Sequence, residues 1–228
     1  MQVAIDCGHG LYTAGKRIAD EYIIRDDKLT GREWYLNNRV GKYLAQILVA
    51  YGDDVLRVDD PTGQTDVPLS KRCITANTWG ANIYISIHHN AGINHKTGGG
   101  TEVYFYPANS QRETDANTLY RHVVAANNNR GNRSQKVIPN KNLAVLNGTA
   151  MPAFLVECGF MDGDERELIQ TDKFAYQTAR GIAEFIVGTS ILDKYAIIAE
   201  NSRPSEKCLC SQCESRGFCT LYREEAAT

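Results

Sequence analysis

No stretch of this 228-residue sequence holds enough consecutive apolar residues to form a membrane-spanning helix, which needs roughly 18–20. Nor is there a surplus of positive charge. Twenty-five Lys and Arg stand against 27 Asp and Glu, for a formal net charge of −2, which argues against a nucleic-acid partner held by overall charge. The chain enters an apolar run at once, from Gln2, with no Sec-type leader ahead of it. Its seven cysteines are an odd number. Cys7, Cys73 and Cys158 fall in predicted core elements, while Cys208, Cys210, Cys213 and Cys219 crowd the end. That distribution excludes a disulfide framework spread over the whole fold. Internal repeats are absent. The glycine run Gly98–Gly100 lacks a GK[ST] ending and precedes a strand, so it is no phosphate loop. No HExxH motif occurs either.

What is present is an ordinary globular composition, 43% hydrophobic and 23% charged, long enough for one well-buried domain and a small appendage. Three predicted strands end in chemistry. In the stretch Asn82–Ala91, Ile83, Ile85 and Ile87 alternate with Tyr84, Ser86 and His88, a period-two strand that stops on His88 and His89. Gln2–Asp6 leads into Cys7-Gly8-His9-Gly10, where the glycines allow a sharp turn. Ala153–Val156 runs into Glu157, and an acid ending an apolar strand is costly unless paired, metal-bound or catalytic. Open α/β sheets keep their sites at such strand ends.

Between these lie the elements that carry them. Leu11–Thr30 reads as a long polar loop, a length that suggests function. Gly31–Tyr51 has helical spacing, with Trp34, Val40, Leu44, Ile47 and Leu48 on one face and Glu33 in the first turn, where the helix dipole favours an acid. A strand at Asp54–Val58 and a helix at Pro68–Trp79 precede the histidine strand. A strand at Thr101–Tyr106, a helix at Ser110–Asn127, a basic loop (Arg130, Arg133, Lys136), a short strand at Leu143–Leu146 and a helix at Lys173–Val187 complete the order. Tyr104 and Tyr106 read as packing residues, His95 and His122 as exposed. The alternation predicts an α/β fold, a mainly parallel twisted sheet with helices on both faces. A composition change near 190–205 divides the chain into a catalytic domain (1–190) and a cysteine-rich tail (191–228).

His9, Glu33 and His88 offer two imidazoles and a carboxylate, a set suited to catalytic Zn2+ with one position left for water. Glu157 is then free to act as general base and acid. DCGHG, Glu33 with Asn37, SIHHNA, GGGTEVYFYP, NRG and VLNGTAMPAFLVECGFM occur in an order that resembles the amidase-3 type of zinc-dependent N-acetylmuramoyl-L-alanine amidase, over roughly residues 1–188. The resemblance implies hydrolysis of the amide between N-acetylmuramic acid and L-alanine in peptidoglycan. It implies His9, Glu33 and His88 as metal ligands and Glu157 as the catalytic glutamate. The chain departs from the family at His89, where a small residue is usual, and at Asp162, where asparagine is common. Strand parity favours His88 over His89 as ligand. Glu33 is assigned by the resemblance alone, with Glu21 as the other candidate. A chain without a leader fits a phage-type endolysin, made in the cytoplasm and acting on the wall after release; a leader already removed is the other reading. A zinc peptidase cutting the stem peptide and an inactive wall-binding module are the competing functions. The tail cysteines could hold a structural metal, form two disulfides or stay unstructured.

Overall fold

The computed structural model describes residues 1–93, 98–128 and 136–191. The basic-loop residues Arg130 and Arg133, His95 and the tail cysteines lie outside the described residues. Six strands form one sheet in the order β2-β1-β3-β6-β4-β5. They are β1 (Gln2–Cys7), β2 (Asp54–Arg57), β3 (Ile83–Asn90), β4 (Glu102–Phe105), β5 (Val137–Pro139) and β6 (Ala153–Phe160). All neighbouring pairs are parallel except β4 with β6, as expected of a mainly parallel sheet. Because β4 is reversed, its first residue meets the carboxyl ends of β1, β3 and β6 at the same edge.

Strand parity sorts the side chains. Val3, Ile5, Cys7, Ile85, Ile87, Phe154 and Val156 are fully buried. On the face that Ile5, Cys7 and Ile87 occupy, α1 (Glu33–Ala50) packs against β1 and β3, with α5 (Asp172–Val187) against α1 and α3 (Ser110–Ala126) against α5. The opposite face, bearing Ala4, Tyr84, Ala153 and Leu155, is covered by α2 (Leu69–Trp79) and α4 (Ala144–Asn147). α1 comes so close to β1 that a Cβ at Gly41 would overlap Cys7 Sγ. The helices carry their own boundaries. Thr171 caps α5 by accepting from Phe174 N–H, and Gly188 ends it in the left-handed conformation. Tyr104 and Tyr106 pack against the α2/α4 cluster.

Several expectations need correction. Leu143–Leu146 is not a strand; residues 144–147 form the short helix α4, introduced by Asn140, whose side chain accepts from the Asn142 and Leu143 N–H groups. Four apolar residues fit either state, and the turn chemistry before them decides. The strand β5 was not expected. β6 continues past its predicted end at Val156, so that Glu157 lies inside the strand rather than beyond it, while β3 holds both histidines as expected and runs on to Asn90. His122 is only partly exposed, with Nδ1 3.6 Å from Glu184. The Leu11–Thr30 loop holds two 3-10 turns, Asp20–Tyr22 and Lys28–Gly31. Buried Ile18 anchors it, and the Gln170 side chain pins it by donating to Tyr22 O and accepting from Ile24 N–H.

Candidate functional site

β1, β3 and β6 bring their carboxyl ends together, and each contributes to one cluster. Gly8 N–H donates to Ile87 O, which extends the β1–β3 pairing by one step and sets Gly8 beside His88. A Cβ at Gly8 would overlap the His88 ring, so the imidazole lies over a position only glycine can occupy. His9 follows with φ +69°, a left-handed conformation uncommon for a residue with a side chain. The turn carries His9 across the strand end to meet His88, ring centroids 5.0 Å apart. Glu33, at the start of α1, reaches the same point from the helix layer. Its Oε1 lies 3.0 Å from His88 Nδ1 and 3.3 Å from His9 Nε2.

Among the described residues, His9, Glu33 and His88 form the one group of metal-ligating side chains whose ligand atoms all lie within 4.8 Å of one another. His9 Nε2 is buried, lies 3.3 Å from Glu33 Oε1 and is without a hydrogen-bond partner. Glu33 is almost fully buried. Burial alone would push its carboxyl up, but the contacts with His88 and His9 outweigh this and hold it well below the usual carboxylate range. Burial opposes the His88 imidazolium, yet the hydrogen bond to Glu33 and the nearby carboxylates raise its pKa. A buried anion facing two imidazoles, one with a free nitrogen, is the donor chemistry a divalent metal requires. Glu21 lies exposed in the loop and is not part of the cluster.

Glu157 stands directly across from His88 in the β3–β6 pairing, and its buried Oε2 has no hydrogen-bond partner. Burial pushes its carboxyl up to about 7, helped by Glu33 and Glu102 and opposed by His88 and Lys16. An acid poised there can exchange protons near neutral pH. The sequence reading missed Glu102, which is buried opposite Glu157 and accepts from Asn90 Nδ2 and the Tyr104 hydroxyl. Its signal was an acid on the same strand face as Tyr104. Lys16, with Nζ 3.7 Å from Glu33 Oε2, gave no signal. Asp162 Oδ2 accepts from Gly92 N–H and so joins the loops that follow β3 and β6.

His89 takes the other side of β3. It is buried, its Nδ1 lies 2.8 Å from Asn37 Oδ1, and its ring packs near Phe174. Burial keeps it neutral, lowering its pKa to about 3. Cys7 and Cys158 are buried thiols raised well above their ordinary pKa by burial, so neither is an activated nucleophile.

Residues 3–187 match the family model described as N-acetylmuramoyl-L-alanine amidase. The chain belongs to this family. It is 32% identical over 173 residues to the N-acetylmuramoyl-L-alanine amidase CwlM of Bacillus licheniformis, a match that spans 72% of this chain and 66% of that one. It is 30% identical over 199 residues to the sporulation-specific N-acetylmuramoyl-L-alanine amidase of Bacillus subtilis, covering 82% and 74%. Among solved structures, the amidase AmiC2 of Nostoc punctiforme superposes with a TM-score of 0.70 at 26% identity, over 82% of this chain and 96% of the other. An amidase from Clostridium difficile 630 gives 0.67 at 30% identity, over 82% and 95%.

Proposed function

We propose that this chain hydrolyses the amide between N-acetylmuramic acid and L-alanine in peptidoglycan, with Zn2+ held by His9, Glu33 and His88. The observation that carries the reading is the convergence of those three side chains beside a carboxyl that has an unpartnered oxygen. Bound zinc supplies Lewis acidity, lowering the pKa of water to about 7 and polarising the scissile carbonyl. The chain does the rest. Glu33 contributes the one negative charge among the ligands. As a carboxylate, Glu157 takes the proton of the attacking water on Oε2. As the acid so formed, it delivers that proton to the amide nitrogen as the C–N bond breaks, leaving a free amine on L-alanine and a carboxylic acid on the muramic acid side, which releases its remaining proton to solvent.

The catalytic unit is residues 1–190, and the substrate side of the sheet is the edge where β1, β3 and β6 end. Action on the wall after release from the cell, as by an endolysin, is part of the same reading. No described helix is long and apolar enough to cross a membrane. Mass spectrometry of purified peptidoglycan digested by the full chain, and by a chain ending at Ile191, tests the proposal. New L-alanine amino termini from both support it, and their loss on chelation and return with zinc support the metal. Cleavage between amino acids of the stem would make the protein a peptidase. Binding without cleavage would make it a wall-binding module. Loss of cleavage on truncation alone would overturn the domain division.

A further inference from the structure

The His9 turn is strained and its three consecutive carbonyls do not point into regular structure. Two side chains from distant parts of the fold nevertheless bond all three. Arg72 Nη1 donates to Cys7 O at 3.1 Å, Asn37 Nδ2 donates to Gly8 O at 3.1 Å, and Arg72 Nη2 donates to His9 O at 3.1 Å. The two side chains approach from opposite faces of the sheet, Asn37 from α1 and Arg72 from α2. Both are fully buried.

Arg72 is itself held along its whole fork. Nε donates to Val67 O, Nη1 to Asp6 and Nη2 to Asp66. Ser86 Oγ donates to the second oxygen of Asp6. Asp66 Oδ2 accepts from Thr13 Oγ1, which in turn accepts from Gly10 N–H just past the turn. A buried guanidinium fully paired in this way costs desolvation that a hydrophobic residue would avoid. What it provides is a planar set of donors at fixed angles, which lysine cannot reproduce. Asn37 Oδ1 also accepts from His89 Nδ1–H, so the neutral histidine on the far side of β3 fixes the amide that holds Gly8.

We infer that Arg72 and Asn37 are positioning residues for the metal site: together they clamp the carbonyls of Cys7, Gly8 and His9 and hold His9 in the left-handed conformation that aims its imidazole at Glu33 and His88. The left-handed conformation at His9 is unfavourable for a residue with a side chain, and the clamp offsets that cost before any metal arrives. The inference rests on the proposed zinc site.

The test measures zinc affinity of the full chain by competition with a chromophoric chelator, alongside melting of the metal-free protein and kcat on peptidoglycan fragments across a zinc titration. Arg72→Lys and Asn37→Ala should each weaken zinc binding by about 10–100-fold, the range for residues that orient ligands. Saturating zinc should restore most of kcat. A residue that only stabilises the fold would lower the melting temperature and leave the affinity of the folded fraction unchanged, and that result would overturn the clamp. If Arg72→Lys does not fold, Asn37→Ala decides alone, and wild-type zinc affinity in that variant overturns the inference. Failure of the wild-type chain itself to bind zinc is a distinct result, which removes the metal reading and the clamp with it.

Discussion

His88 and His89 are covalent neighbours at the end of one strand, yet they belong to different regions. On the His88 side, Gly8, His88, Glu157 and Glu102 lie side by side across four strands, and polar atoms remain unpartnered. On the His89 side, the strand end is closed by α1 and Phe174; the imidazole is bonded to Asn37 through Nδ1, and its buried Nε2 has no hydrogen-bond partner. The same residue type therefore acquires opposite electrostatics within one peptide unit. Contact with Glu33 raises the pKa of His88, whereas burial lowers that of His89 to about 3. Both rings keep a nitrogen for a ligand, but only His88 has a carboxylate, Glu33, hydrogen-bonded to its ring. Burial alone yields a structural histidine.

The largest expected effect comes from exchanging the fates of that pair. His88→Ala should abolish zinc binding and hydrolysis together, since it leaves only His9 and Glu33. His89→Ala should lower stability yet keep most of the zinc per folded molecule. Metal analysis of the two purified variants checks this. A metal-free His89→Ala beside a metal-loaded His88→Ala would reverse the assignment of the two faces.

The division between faces was legible before the structure because Ile83, Ile85 and Ile87 mark one parity and His88 falls on the other. Acid after an apolar run singled out Glu157 in the same way. Other features were hidden for identifiable reasons. Glu33 is separated from His9 by a loop without periodicity, so its arrival at the cluster depends on pins such as Ile18 and Gln170 that only tertiary structure supplies. β5 is three residues long and includes Pro139, too short for a pattern. Arg72 and Asn37 lie 65 and 29 residues from the carbonyls of Cys7 and Gly8 to which they donate, and no local spacing encodes such bonds. Asp6, an acid inside the apolar strand β1, was the visible trace of the Arg72 network.

A smaller effect separates the groups within the His88 side. Glu157→Gln keeps the shape of the side chain and removes the proton carrier, so turnover should fall roughly 10²–10⁴-fold, the usual contribution of general acid–base catalysis. Zinc content should stay at the wild-type value, because Glu157 is outside the group of three. Steady-state kinetics with parallel metal analysis separates this from a ligand role. Zinc loss would make Glu157 part of the metal site, and near-normal turnover in the metallated variant would exclude it from the mechanism.

The smallest effect is a difference in pH dependence between the two faces of the metal-free protein. Glu157 and His89 are both buried, and burial disfavours the charged form of each, but those forms lie at opposite ends of the titration. The Glu157 carboxyl is raised from 4.5 to about 7 on folding, so between these values the folded chain binds the extra proton and stability falls as pH rises. His89 is lowered from 6.5 to about 3, so between those values the unfolded chain binds the extra proton and stability falls as pH falls. At about 1.4 kcal/mol for each tenfold change in proton affinity, the Glu157 contribution is on the order of 3 kcal/mol. Glu157→Gln should therefore gain stability relative to wild type as pH rises from about 4.5 to 7. His89→Gln, whatever its constant cost, should gain relative to wild type as pH falls below about 6.5. Subtracting wild type removes the contributions of Glu33 and His88 to first order, since both remain in each variant. Melting temperatures of the chelated proteins from pH 4 to 8 provide the measurement, and parallel curves for the three proteins would mean that neither group is perturbed by its face of the sheet.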